Sequence, residues 1–176
     1  PKIDWREALR EFVAAHCAGT DQSTWRRPNR RYAASGIYMP SHYSETVECI
    51  AMHNDMSGSI GVKEQSVMIT ELASICQTTT PDELHITYWD TRVCGHEVYE
   101  RHELDGIAHK TQPKGGGGTD VSCVPEFLKE KGIKPQVSIV LTDGYIWNKS
   151  WGTWDHPVLW CIVDNKDAKP MDQSYI

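Results

Sequence analysis

Apolar positions follow two periods along this chain, and from residue 47 onward the two alternate. Val47, Cys49, Ile50, Ala51 and Met52 form a short, mostly apolar run that ends in Asn54-Asp55, followed by the glycine turn Ser57-Gly58-Ser59. Val67, Met68, Leu72, Ile75 and Cys76 then keep one apolar face, which predicts a helix stopped by Thr78-Thr79-Thr80-Pro81. Residues 85–89 predict a strand, and 97–101 a shorter, more polar one that suits a sheet edge. Residues 113–120 contain four consecutive glycines, and 121–131 predict a second helix closed by Gly132. Two strongly β-prone runs follow, 137–141, which leads into Thr142-Asp143-Gly144, and 158–163. Strands alternating with helices at this spacing imply βα units: a three-layer, Rossmann-like α/β fold, its central sheet mostly parallel, with one short edge strand and helices on both faces.

The first forty residues read differently. Trp5, Leu9, Phe12, Val13 and His16 recur at helical spacing, and Asp4 with Glu7 makes a capping pair. Residues 21–40 are polar, basic and irregular, with Trp25-Arg26-Arg27-Pro28-Asn29-Arg30-Arg31 at their centre. They predict a loop or arm. The expected division is therefore a helix and basic arm over 1–40, packed on one domain over 41–176. The start at Pro1 predicts a piece of something longer.

Composition narrows the class of function. Hydrophobic residues at 39% and charged residues at 24% describe an ordinary globular chain. With 24 acidic against 18 basic residues the net charge is −6, which weighs against a nucleic-acid binder. No apolar run is long enough to cross a bilayer. The six cysteines (Cys17, Cys49, Cys76, Cys94, Cys123, Cys161) show neither CxxC nor a Cys–His zinc spacing, and read as reduced core thiols of a cytoplasmic protein, with a disulfide framework as the alternative.

Three segments place oxygen-bearing residues after apolar runs: Asp55-Met56-Ser57-Gly58-Ser59, Gly117-Gly118-Thr119-Asp120 and Thr142-Asp143-Gly144. In an open parallel sheet, ligands bind beyond the carboxyl ends of strands, where the strand order reverses. Carboxylate and hydroxyl oxygens suit a hard cation, Mg²⁺ or else Mn²⁺ or Ca²⁺. Asp55, Ser57 and Ser59 alternate through a tight turn, and the glycine run lets a distant loop bring Thr119 close. Neutral hydroxyls and two carboxylates leave the ion positive toward solvent, which predicts capture of an Asp or Glu side chain from a protein partner.

Asp55, Ser57, Ser59, Thr119 and Asp143 resemble the DxSxS…T…D metal-ion-dependent adhesion site of von Willebrand factor A domains, in order and context. The arginine-rich 25–31, the glycine run and Thr142-Asp143-Gly144 are similar to the VWA-like domain at the C-terminus of predicted bacterial and phage metallopeptidases. The resemblance implies a metal held directly by Asp55, Ser57, Ser59 and Thr119, with Asp143 acting directly or through water. It also implies a binding domain rather than an enzyme. A peptidase half would lie upstream, and no HExxH occurs here.

Other readings of the same residues stay open. Asp55 with Asp143 could belong to a Mg²⁺-dependent phosphatase or hydrolase on a related sheet, although Ser57 stands where a second aspartate is usual. A metal-free structural module is a further alternative. Gly115 to Gly118 lack the Lys-Ser/Thr of a nucleotide loop, and Ser59 lacks a Gly-x-Ser-x-Gly elbow. His96, Glu97, His102 and Glu103 read as solvated groups of an edge strand. The arginines of the arm read as solvated or paired, and Trp147, Trp151 and Trp154 as either partner anchors or core.

Overall fold

The computed structural model describes residues 11–12, 24–28, 40–41, 47–146, 151–163, 165, 167–168, 170 and 174–175. Its elements are β1 (Thr24–Pro28), β2 (Pro40–Ser41), β3 (Cys49–Asp55), α1 (Val62–Thr79), β4 (Glu83–Trp89), β5 (Val93–Glu100), a 3-10 turn (Arg101–Glu103), α2 (Ile107–Lys110), α3 (Cys123–Lys131), β6 (Val137–Thr142), β7 (Val158–Ile162) and β8 (Ser174–Tyr175). Six strands form one sheet in the order β5-β4-β3-β6-β7-β8. All neighbours run parallel except β4 and β5.

Every residue of β6, and all but the first of β4, is buried, as expected of strands covered on both sides. Alternate residues feed two separate cores. Ile50 and Met52 of β3, Leu84 and Ile86 of β4, and Ile139 and Leu141 of β6 pack with Met68, Leu72, Ile75 and Cys76 of α1. On the opposite face Trp89, Val140, Val158 and Trp160 pack with Val121 and with Val124 of α3. Helix α1 stops at Thr80, whose backbone is left-handed (φ 41°) and whose N–H closes on the Cys76 carbonyl, with Pro81 barring continuation. Gly132 does the same for α3.

The α/β architecture and helices on both faces agree with the sequence expectation; several boundaries do not. The edge strand begins at Val93, so β5 is longer than 97–101. The 3-10 turn, α2 and β8 carried too short a pattern to be predicted. Residues 24–28, expected as loop, pair antiparallel with 40–41 in a two-stranded ribbon of their own. Within the leading helix only Glu11 and Phe12 are described: both are helical, and Phe12 is buried in the α1-side core. Trp5, Leu9, Val13 and His16, and the side chains of the arginine arm, lie outside the described residues. Among the described residues no helix is long and apolar enough to cross a membrane.

Candidate metal centre

Strand β3 lies between β4 and β6. The chain leaves β3 toward β4 through α1 and leaves β6 toward β7 on the other side, so strand order reverses between β3 and β6. Their carboxyl ends therefore border the crevice that parallel sheets use for ligands. Asp55, the last residue of β3, is fully buried there. Its Oδ1 accepts the Ser57 N–H at 2.8 Å, and its Oδ2 accepts the hydroxyl of Thr142, the last residue of β6, at 2.5 Å. Ser57 Oγ and Ser59 Oγ lie 3.0 Å apart. Burial pushes the Asp55 carboxyl above its ordinary range, the bonds from Thr142 and Ser57 pull it back in part, and the Asp143 carboxylate adds a smaller upward push. Asp143 itself is half-buried, and its Oδ1 accepts the Tyr145 N–H at 3.1 Å.

The glycine loop is fastened to this crevice at several points. The Gly117 carbonyl accepts the Gly58 N–H at 2.9 Å, while the Gly117 N–H donates to Asp90 Oδ2 at 3.0 Å. The Asp120 N–H donates to the Asp90 carbonyl at 2.8 Å. Thr119, half-buried, sits between those anchors. Gly115 presses so closely on Met56 that a Cβ there would overlap the methionine side chain. Asp55, Ser57 and Ser59 thus meet in one turn, Asp143 stands at the end of the adjoining strand, and the loop carrying Thr119 is bonded to that turn. The donors are all oxygen, gathered around a buried carboxylate whose neighbours are hydroxyls, a backbone N–H and a second carboxylate. That chemistry fits a hard divalent ion.

One residue below the site, Asn54 occupies the α1 face of β3, where the run is otherwise apolar. It is 2% exposed, and neither its Oδ1 nor its Nδ2 finds a hydrogen-bond partner among the described residues.

The α3 face of the sheet carries a string of polar groups that periodicity did not reveal. His53 Nδ1 lies 2.6 Å from Thr87 Oγ1, and His53 Nε2 lies 2.9 Å from Ser138 Oγ. Ser138 Oγ lies 2.7 Å from His156 Nε2, and His156 Nδ1 lies 2.6 Å from Asp155 Oδ1. Complete burial, with smaller contributions from His156, His85 and His96, lowers the His53 pKa to about 3, so this ring is neutral. The Asp155 carboxylate can only accept, so His156 Nδ1 donates to it. Ser138 Oγ thus joins the two imidazole rings, His53 and His156. Ser138 is fully buried, so it transmits a hydrogen bond rather than facing a substrate.

At the amino ends of β3 and β4, Cys49, Glu83 and His85 come together, with their sulfur, carboxylate oxygen and ring nitrogen all within 4.8 Å of one another. Burial first, then the carboxylates of Glu83 and Glu48, push the Cys49 thiol up to about 11. Cys49 is therefore not the simple core thiol its apolar surroundings suggested. His96 is likewise more than a solvated edge residue: although exposed, its Nε2 lies 3.0 Å from His85 Nδ1, and its ring meets Phe127 of α3 edge-on. Trp151 and Trp154 pack edge-to-face on buried Trp160, with ring centroids at 4.8 and 6.0 Å, which makes them core-lining rather than free anchors. Trp147 lies outside the described residues.

Comparison with known proteins agrees with the architecture. Residues 50–173 match the family model "VWA-like domain (DUF2201)". Residues 1–43 match a model described as "Putative metallopeptidase domain". Over 145 residues the chain is 30% identical to an uncharacterized protein of Thermotoga maritima, an alignment covering 82% of this chain and 34% of that protein. The chain thus spans about a third of the length of that relative.

Proposed function

The chain belongs to the VWA-like domain family, and from that premise we propose that it is a metal-dependent protein-binding module whose site lies at the carboxyl ends of β3 and β6. Asp55, Ser57, Ser59 and Thr119 hold the ion, and Asp143 completes the shell or orients a water. Mg²⁺ is the ion of choice, with Mn²⁺ and Ca²⁺ as substitutes. When bound, a hard divalent cation supplies residual positive charge that a partner's Asp or Glu side chain neutralises.

The observation that carries this reading is the buried Asp55 carboxylate, set among hydroxyls at the switch point of the sheet. A buried carboxylate is costly unless paired, and a divalent cation offsets that cost. Thr142 and the Ser57 N–H hold both Asp55 oxygens in place, and each oxygen keeps a further lone pair. The Gly58–Gly117 bond holds the loop that carries Thr119 against the turn. The same reading makes the domain non-catalytic in itself. The match of residues 1–43 supports placing it, with 1–40 as an arm, within a larger metallopeptidase-like protein. The free thiols among the described residues, Cys49, Cys76, Cys94, Cys123 and Cys161, support a cytoplasmic setting.

The test uses acetate as a probe for the partner's carboxylate. Water-proton relaxation of Mn²⁺ bound to the protein falls as acetate displaces a bound water, and Ser57→Ala with Ser59→Ala removes the bound Mn²⁺ signal. Relaxation that is indifferent to acetate, in protein shown to hold Mn²⁺, contradicts the binding role.

A further inference from the structure

We propose that Cys49, Glu83 and His85 form a second metal site, chemically distinct from the first, that binds a borderline-soft divalent ion of the Zn²⁺ class. It is independent of the hard-ion reading. The two positions lie at opposite ends of β3, Cys49 being its first residue and Asp55 its last, roughly 20 Å apart at about 3.3 Å per strand residue.

Sheet register creates the cluster. Cys49 pairs directly with Glu83 across the parallel β3–β4 ladder, and His85 stands two residues beyond Glu83 on the same face. Cys49 Sγ lies 3.9 Å from Glu83 Oε1, and His85 Nε2 lies 2.6 Å from the same oxygen. The three groups thus converge without rearrangement of the backbone. Sulfur, imidazole and carboxylate together select zinc-class ions over Mg²⁺ or Ca²⁺. Glu83 is half exposed, and its open side leaves a fourth position for water.

His96 supplies what such sites usually require behind a histidine ligand. A metal on His85 Nε2 fixes the remaining proton on Nδ1, and the His96 Nε2 lies 3.0 Å from that atom as acceptor. The two rings are parallel within 3°, and Phe127 braces His96 from α3. Proton balance follows. The Glu83 carboxylate can only accept, so without metal His85 Nε2–H donates to it, and a neutral His85 takes its Nδ1 hydrogen bond from His96. On binding, the metal takes Nε2 and the imidazole proton resides on Nδ1. The His96 proton moves to its other nitrogen, and the Cys49 thiol releases one proton to solvent.

The experiment uses the full 176-residue chain, stripped with chelator under reducing conditions and titrated with Zn²⁺ and with Co²⁺. Wild type and Asp55→Ala are expected to bind one Zn²⁺ with equal affinity in excess Mg²⁺. Cys49→Ser and His85→Gln lose at least about tenfold, and His96→Phe loses about 10- to 100-fold as an orienting residue. Wild type loaded with Co²⁺ shows thiolate-to-metal absorption, and Zn²⁺ protects Cys49 from alkylation, read peptide by peptide. Absence of that absorption in wild type, or Cys49 alkylated equally with and without Zn²⁺, overturns the site whatever the variants do. Loss of Zn²⁺ in Asp55→Ala with retention in folded Cys49→Ser overturns it too. Failure of Mg²⁺ binding alone bears only on the first site.

Discussion

The Thr142 hydroxyl donates to Asp55 Oδ2 at 2.5 Å, and that bond joins the carboxyl ends of β3 and β6. The same hydroxyl accepts the Gly144 N–H at 3.0 Å, so one side chain holds both the buried carboxylate and the loop after β6. Thr142→Val keeps the shape and removes both bonds. It is expected to cost about 1–3 kcal/mol, because the buried Asp55 carboxylate and the half-buried Gly144 N–H lose their partner. Urea denaturation without divalent ions measures it, and the variant should also need more Mg²⁺ for half-saturation.

Asp55 imposes a pH dependence of known sign. Its folded pKa is raised above 3.8, chiefly by burial, so the folded state holds its proton more tightly than the unfolded chain. Stability from this group is therefore full below the ordinary carboxylate range and declines as pH rises from there through the folded value. Metal-free Asp55→Asn should lack that decline, and saturating Mg²⁺ should flatten it in wild type. Urea midpoints across pH, with and without the ion, give the comparison.

His53 acts in the opposite direction. Its folded pKa of about 3 lies below the ordinary 6.5, so the unfolded chain takes up a proton that the folded state refuses. Its contribution is complete above 6.5 and drains away as pH falls toward about 3. A His53→Gln variant should show a shallower acid limb. NMR of the imidazole nitrogens in wild type should find a ring that stays neutral at pH 5.

Asn54 predicts a gain. Its two carboxamide atoms are buried without partners among the described residues, and an unsatisfied buried polar group costs about 1–3 kcal/mol. Asn54→Leu, continuing the apolar face of Met52, is expected to raise metal-free stability by about 1 kcal/mol, which a thermal melt reads as a shift of a few degrees.

How much of this was legible beforehand depends on what each feature rests on. The ends of β3 and β6 could be located because Ile50 to Met52 and Val137 to Leu141 are mostly apolar runs that give way to His53-Asn54-Asp55 and to Thr142-Asp143. The ribbon of 24–28 with 40–41 could not, since two prolines and two arginines carry no strand period, and the pairing is non-local. Cys49, Glu83 and His85 were hidden for a related reason. Only the register between two parallel strands sets Cys49 beside Glu83, and a single sequence does not encode register visibly. The alternation of β5 was readable, but the partner of His96 lies on another strand. Asn54 departs from the apolar pattern without any local sign of what surrounds it.

The most direct measurement is the melting temperature of wild type and Asp55→Ala as free Mg²⁺ is raised, since Mg²⁺ has little affinity for a site built on thiolate. An ion that binds only the folded state adds about 2.7 kcal/mol at a hundred times its dissociation constant. Wild type should climb with Mg²⁺ and fall back on adding chelator, while Asp55→Ala stays level. Equal climbs in the two proteins, or none in wild type, would contradict a hard-ion site at the junction of β3 and β6.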